Sequence, residues 1–204
     1  MTTITHLFTD LGGVLLTNGW DRGLRKLVAS QFQIDPDAMD ERHHLTYDTY
    51  EAGKISLSVY LQRVVFWEPR SFTEDQVVDF MLSQARAFPD MIEMYKRLKA
   101  KNDLKVVVVS NEGRELTADR IQRFRLKEFV DIFVVSSFVH FRKPDEDIFR
   151  IALDVAQADP AEVVYVDDRQ MFTEVAGRLG MREIWHRDHD RTRAACEALG
   201  LTVD

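Results

Sequence analysis

Hydrophobic positions along the chain change rhythm twice, and the changes divide it into three stretches. The first is short: His6-Leu7-Phe8-Thr9 runs into Asp10, followed by Leu11-Gly12-Gly13-Val14-Leu15-Leu16. An apolar run ending in a glycine pair predicts a buried strand whose chain turns sharply at its carboxyl end. From Trp20 to about Arg86 the spacing becomes helical. Leu24, Leu27, Val28 and Phe32 share one face, Leu57, Tyr60, Leu61, Val64 and Val65 another, and Phe72, Val77, Val78, Met81 and Leu82 a third. Asp35-Pro36 opens a further helix between them, and Glu51-Ala52-Gly53-Lys54 marks a break.

After Phe88-Pro89 strands and helices alternate. Helices are predicted from Met91 to Lys101, Arg114 to Arg125, Pro144 to Gln157, Gln170 to Leu179 and Arg191 to Leu199. Strands are predicted at Lys105–Val109, Ile132–Val135, Val163–Val166 and Glu183–Trp185. Continuous β-branched runs between helices indicate a parallel sheet covered on both faces. The expected fold class is α/β: a doubly wound, Rossmann-like parallel sheet carrying an inserted all-helical segment. Residues 1–15 and 88–204 form the core of this scheme, and 16–87 the insertion.

Composition adds boundaries. At 204 residues, 45% apolar and 30% charged, the chain can bury a core without staples. Its one cysteine, Cys196, excludes an internal disulfide. The net charge is −7 and no block of consecutive Lys/Arg is present, which argues against nucleic acid as a partner. No apolar run approaches the roughly 20 residues of a membrane span. The amino-terminal residues lack the basic start and apolar stretch of a signal peptide, so a soluble, cytoplasmic protein is expected.

Ligands of an open parallel sheet bind at the carboxyl ends of its strands. Here those ends are polar: Asp10 after the first strand, Ser110-Asn111 after the valine strand, and Asp167-Asp168 after Val163–Val166. Ser136-Ser137 follows another strand, with Phe141-Arg142-Lys143-Pro144 beyond it. Two adjacent aspartates at a buried strand end repel each other unless a cation compensates. Hard oxygen ligands of this kind suit Mg²⁺. With a lysine, a hydroxyl and backbone amides, the set fits phosphoryl transfer to a carboxylate nucleophile.

The same residues carry a resemblance. Phe8-Thr9-Asp10-Leu11-Gly12-Gly13-Val14-Leu15, Val108-Val109-Ser110-Asn111, Arg142-Lys143-Pro144 and Val164-Tyr165-Val166-Asp167-Asp168 resemble, in order, the four motifs of the haloacid dehalogenase-like hydrolase superfamily. The helical insertion lies where many members carry a helical cap. The Asp-Leu-Gly-Gly start and Glu51-Ala52-Gly53-Lys54-Ile55-Ser56 resemble a bacterial sugar-phosphate phosphatase subgroup that includes α-glucose 1-phosphate phosphatases. The resemblance implies a phosphatase acting on a small phosphorylated metabolite. Asp10 would be the nucleophile, and Mg²⁺ would be held by Asp10, the Gly12 carbonyl and Asp168, with Asp167 behind them or as a further ligand. Ser110 and the Asn111 amide would hold phosphate oxygens, and Lys143 would neutralise the nucleophile and the phosphate.

Gly12 departs from the pattern: most phosphatase members carry a second aspartate there as general acid and base, a function worth roughly 10²–10⁴-fold. Two alternatives follow. One is a metal-binding but weak or inactive module that recognises a phosphorylated ligand or partner protein. The other is a 2-haloacid dehalogenase, which also lacks the second aspartate but has no need of the Asp167-Asp168 pair. In the insertion, Trp20, His43, His44, Tyr47, Glu51, Phe66 and Trp67 are candidates to line the site, with His43 or Tyr47 expected to touch substrate. Gly53-Lys54-Ile55-Ser56 lacks the leading glycine and the hydroxyl of a phosphate loop. His186-Arg187-Asp188-His189 reads as a solvated loop.

Overall fold

A computed structural model describes residues 2–203. Its centre is a five-stranded sheet built from β1 (His6–Thr9), β2 (Lys105–Ser110), β3 (Ile132–Val135), β4 (Val163–Asp167) and β5 (Arg182–Trp185). The strands are all parallel in the order β3-β2-β1-β4-β5, as the alternation of elements predicts. β1 is central, pairing with β2 on one side and β4 on the other, so Asp10 emerges where the strand order reverses.

Successive strand residues face opposite sides of the sheet, which is why both parities are apolar here. Leu7, Val106, Val108, Val164 and Val166 pack under α5 (Pro89–Asn102) and α10 (His189–Ala198), through Met94, Tyr95, Leu98 and Cys196. Phe8, Val107, Val109, Val163 and Tyr165 pack under α8 (Glu146–Ala156) and α9 (Gln170–Arg178), through Ile148, Phe149 and Ala176. α6 (Arg114–Arg123) follows β2, and the single turn α7 (Ser136–Val139) follows β3 directly, where the sequence reading has only a strand end. α8 starts two residues later than predicted because Asp145 caps it, accepting from Asp147 N at 3.0 Å.

Between β1 and α5 lie α1 (Arg22–Gln31), α2 (Pro36–Glu51), α3 (Leu57–Val64) and α4 (Glu74–Ser83). Asp21, Asp35, Ser56 and Thr73 cap them. They enclose a second apolar cluster, including Trp20, Val28, Tyr60, Leu61 and Val77, joined by Leu116 from α6. The chain leaves and re-enters the sheet layer side by side. Thr17 N donates to Arg86 O at 2.9 Å, and Phe88 N donates to Leu15 O at 2.9 Å. Among the described residues, no helix is long and apolar enough to cross a membrane.

Candidate active site

Strand register sets the floor of the site. Asp10 follows β1, and its amide donates to Val166 O at 2.9 Å, which fixes it beside the end of β4. Within β4, Tyr165 and Asp167 lie two residues apart and share a face, so the Tyr165 hydroxyl donates to Asp167 Oδ2. Asp168, one residue on, turns toward the β1 loop instead. There it lies against Gly13, where a Cβ would sit 2.4 Å from Asp168 Oδ2. Gly13 also has φ +78°, so both the turn and the close approach require glycine.

Lys143 ties the floor together. Fully buried, its Nζ lies 2.6 Å from Asp167 Oδ2, 3.1 Å from Tyr165 Oη and 3.1 Å from Asp10 Oδ1. Its backbone is clamped by Asn111: Lys143 N donates to Asn111 Oδ1 and Asn111 Nδ2 to Lys143 O, both at 2.8 Å. The Asn111 side chain therefore positions the lysine loop rather than capping α6, whose N-cap is Gly113. The Ser110 side chain, at the end of β2, lies near enough to the Asp10 carboxylate to favour its charged form.

One ammonium among three carboxylates leaves the floor short of positive charge. Burial pushes Asp10 up to about 7 against the pull of Lys143, with the charges of Asp167 and Asp168 adding to the rise. Burial and the Asp167 charge raise Asp168 as well. For Lys143, burial works against the ammonium, but Asp10 and Asp167 outweigh it and hold its pKa above the ordinary value. Oxygens of Asp10, Asp167 and Asp168 all lie within 4.8 Å of one another. Asp10 Oδ1 is buried without a hydrogen bond, because Lys143 reaches it at an angle that gives ion-pair attraction only. A small divalent cation fits this donor set: hard oxygens, excess negative charge and an unpartnered buried oxygen. Asp10 and Asp168 have free capacity for it. Asp167 has less, since Arg169 N donates to its Oδ1 at 2.8 Å and Lys143 and Tyr165 occupy its Oδ2.

Above the floor is a cavity of about 600 Å³, walled by Asn18, Trp20, Tyr47, Glu51, Glu112 and Arg142 among others. Of the two insertion residues expected at substrate, Tyr47 lines it and His43 does not. His43 points into the helical cluster, where its Nδ1 pairs with the Tyr60 hydroxyl at 2.8 Å and its ring lies against Tyr47, centroids 4.5 Å apart. His44 is exposed, so neither histidine reaches the cavity. Phe66 and Trp67 are also off the wall, and Arg42 and Arg70 lie over the Trp67 ring, 4.7 and 4.3 Å from its centre.

Four features of the site escape sequence reasoning. Asn18 fills the space above Gly12, where a Cβ would approach its Oδ1 to 2.9 Å. Glu112 forms a buried ion pair with Arg120, which also donates to Thr17 O and so braces the root of the insertion. Arg142 reaches across to Glu51 and Asp48 of α2. Tyr165 reads in sequence as a core aromatic. Only the Asp167-to-Tyr165 spacing of two, on a strand, carried a usable signal.

The sequence profile of the haloacid dehalogenase-like hydrolases matches residues 63–186, more than half of the chain. The pig protein "Bifunctional epoxide hydrolase 2" is 29% identical over 203 residues, 89% of this chain and 36% of that protein. "(S)-2-haloacid dehalogenase 4A" of Burkholderia cepacia is 24% identical over 122 residues, 60% of this chain and 52% of that protein. This chain thus spans about a third and about half of the length of those relatives. In fold, it superimposes on a HAD-family enzyme of Bacteroides thetaiotaomicron crystallised with magnesium and inorganic phosphate. The TM-score is 0.76 at 20% identity, covering 90% of this chain and 94% of that one.

Proposed function

Because the chain belongs to the haloacid dehalogenase-like hydrolases, we propose that it is a Mg²⁺-dependent phosphatase of small phosphorylated metabolites, with sugar phosphates the leading substrate class. The carrying observation is the convergence of Asp10, Asp168 and Lys143 from three separate loops on one cavity. Asp10 lies outside the span matched by the family profile, so its place in this reading rests on geometry. The Bacteroides enzyme's magnesium and phosphate are consistent with the same chemistry.

In this reading an Asp10 carboxylate oxygen attacks phosphorus and the ester oxygen departs, leaving an aspartyl-phosphate. Lys143 offsets the repulsion between the anionic nucleophile and the anionic phosphate. The Ser110 hydroxyl and the Asn111 amide bind phosphate oxygens. Water then attacks the same phosphorus, releasing phosphate and restoring the carboxylate. Asp10, Asp168 and the Gly12 carbonyl would hold Mg²⁺, which supplies charge neutralisation for the transferring group. Tyr47 and Trp20 face the leaving group from the insertion, and alanine at Tyr47 is expected to change which esters are accepted.

The aspartate pair separates this reading from dehalogenation, which makes no use of Mg²⁺. The test is hydrolysis of a panel of phosphate esters with Mg²⁺, with chelator, and with the Asp10→Asn variant. Metal-dependent phosphate release that is lost in the variant is expected. Inertness of the wild type toward every ester overturns the assignment and favours the binding-module reading.

A further inference from the structure

Hydrolysis of an ester with a poor leaving group needs a proton for the departing oxygen, and position 12 offers no side chain to carry it. The Asn18 amide occupies that space and cannot donate as an acid. A donor on the cavity wall would take its place. Besides the floor aspartates, the carboxyl groups lining the cavity are Asp21, Glu51 and Glu112. Asp21 is solvent-exposed, and its Oδ1 is occupied as the cap of α1, accepting from Leu24 N at 2.8 Å. Both oxygens of Glu112 are engaged, one by Arg120 and the other by the Thr117 hydroxyl at 3.1 Å. Glu51 remains.

Glu51 is built into the wall with care for its charge. It is the last residue of α2 and only 5% exposed, and its carbonyl accepts from Ser136 Oγ at 2.7 Å, which fixes the backbone to the turn after β3. His140 Nδ1 lies 2.9 Å from the next carbonyl, Ala52 O, adding a second tie between the same segments. Its carboxylate pairs with Arg142 Nη2 at 2.5 Å, while Arg142 Nη1 meets Asp48 Oδ1 at 2.5 Å. Tyr47 lines the same cavity, near enough to the Glu51 carboxylate to favour its charged form. Arg142 is the neighbour of Lys143, so one loop presents an ammonium to Asp10 and a guanidinium to Glu51.

We propose that Glu51 is the general acid and base of the reaction, with Arg142 stabilising its carboxylate and Tyr47 orienting it. This rests on the phosphatase reading above. In the first step the P–O(ester) bond breaks as the Asp10–P bond forms, and the Glu51 carboxyl proton passes to the departing oxygen, giving the alcohol. In the second, Glu51 carboxylate takes a proton from water as that water attacks phosphorus and the P–O(Asp10) bond breaks, restoring both groups. Burial raises the affinity of Glu51 for its proton, with the charge of Asp48 adding to the rise and Arg142 and the Tyr47 hydroxyl opposing it. The group can therefore hold a proton and also bear its loss.

The test is single-turnover hydrolysis by Glu51→Gln of two Mg²⁺-supplemented substrates, an aryl and an alkyl phosphate. An aryl oxide leaves without help and an alkoxide does not. The rate loss is expected to grow from about tenfold on the aryl ester to about 10²–10⁴-fold on the alkyl ester. Equal loss on both marks a structural or binding role and overturns the proposal, as does no loss. Tyr47→Phe gives a second reading that does not depend on the first variant folding. Removing the hydroxyl is expected to move the basic limb of the single-turnover pH profile to higher pH, and an unmoved limb contradicts the assignment. If wild-type protein cleaves both esters while these signatures are absent, only the Glu51 role falls. If wild type cleaves neither, the phosphatase reading falls and the Glu51 role with it.

Discussion

The floor and the helical wall of the cavity answer opposite electrostatic problems. On the floor, Asp10, Asp167 and Asp168 share one ammonium, and burial pushes Asp10 up to about 7. In the helical cluster, His43 is buried against Tyr60 and Tyr47 beside the Arg25–Asp40 ion pair, and burial lowers its pKa to about 3. The floor thus gains stability from a proton or a cation, whereas the helical cluster gains it from staying neutral. A region poised to take up positive charge is a binding site. A region that rejects it is packing.

Breaking the floor has the largest expected effect. Asp10→Asn removes the proposed nucleophile, and phosphate release should fall to the limit of detection in a colorimetric assay. The same variant relieves crowding of negative charge, so the metal-free protein should melt at a higher temperature than wild type at pH 8. Lys143→Met comes next: with no ammonium, two buried carboxylates lose their partner. Urea denaturation is expected to show a loss of about 3–5 kcal/mol, alongside loss of activity.

A smaller effect comes from pH. The folded-state pKa of Asp10 lies above its ordinary value of 3.8, so the folded protein binds more protons than the unfolded chain between those pH values. This contribution to the stability of the metal-free protein is full at low pH and is lost as pH rises toward 7. Mg²⁺ bound at the proposed site would compete with that proton. Its affinity, measured by calorimetry, should weaken about tenfold for each unit below pH 7.

His43 gives the smallest signal, of the opposite sign. Its folded-state pKa lies below 6.5, so its contribution is full above that pH and is lost as the medium becomes more acid. His43→Gln should flatten the stability profile below pH 6.5 and cost about 1–2 kcal/mol at neutrality from the disturbed Tyr60 contact. It should leave the ester profile intact. A changed ester profile in this variant would erase the contrast between the two regions.

The floor was legible in the sequence because strands impose it. The parity of a buried parallel strand sends Tyr165 and Asp167 one way and Asp168 the other, and adjacent strand ends bring Asp10 beside them. The helical wall was not. Helical spacing placed His43 and Tyr47 on the same helix, but which one faces the cavity depends on how α2 rotates against α3, and that is settled by Tyr60. Long-range polar ties were equally hidden, because nothing in the local pattern around Asn111 signals a clamp on a loop 32 residues away. Helix ends missed by a residue or two where non-glycine residues such as Gln157 and Arg125 take the left-handed conformation.

The most direct measurement is acid quench of wild-type protein during turnover of a phosphate ester, followed by peptide mass spectrometry. A single phosphoryl group is expected on the peptide containing Asp10, absent in Asp10→Asn. Turnover with no phosphorylated peptide, or with the group on another residue, would contradict the nucleophile assignment.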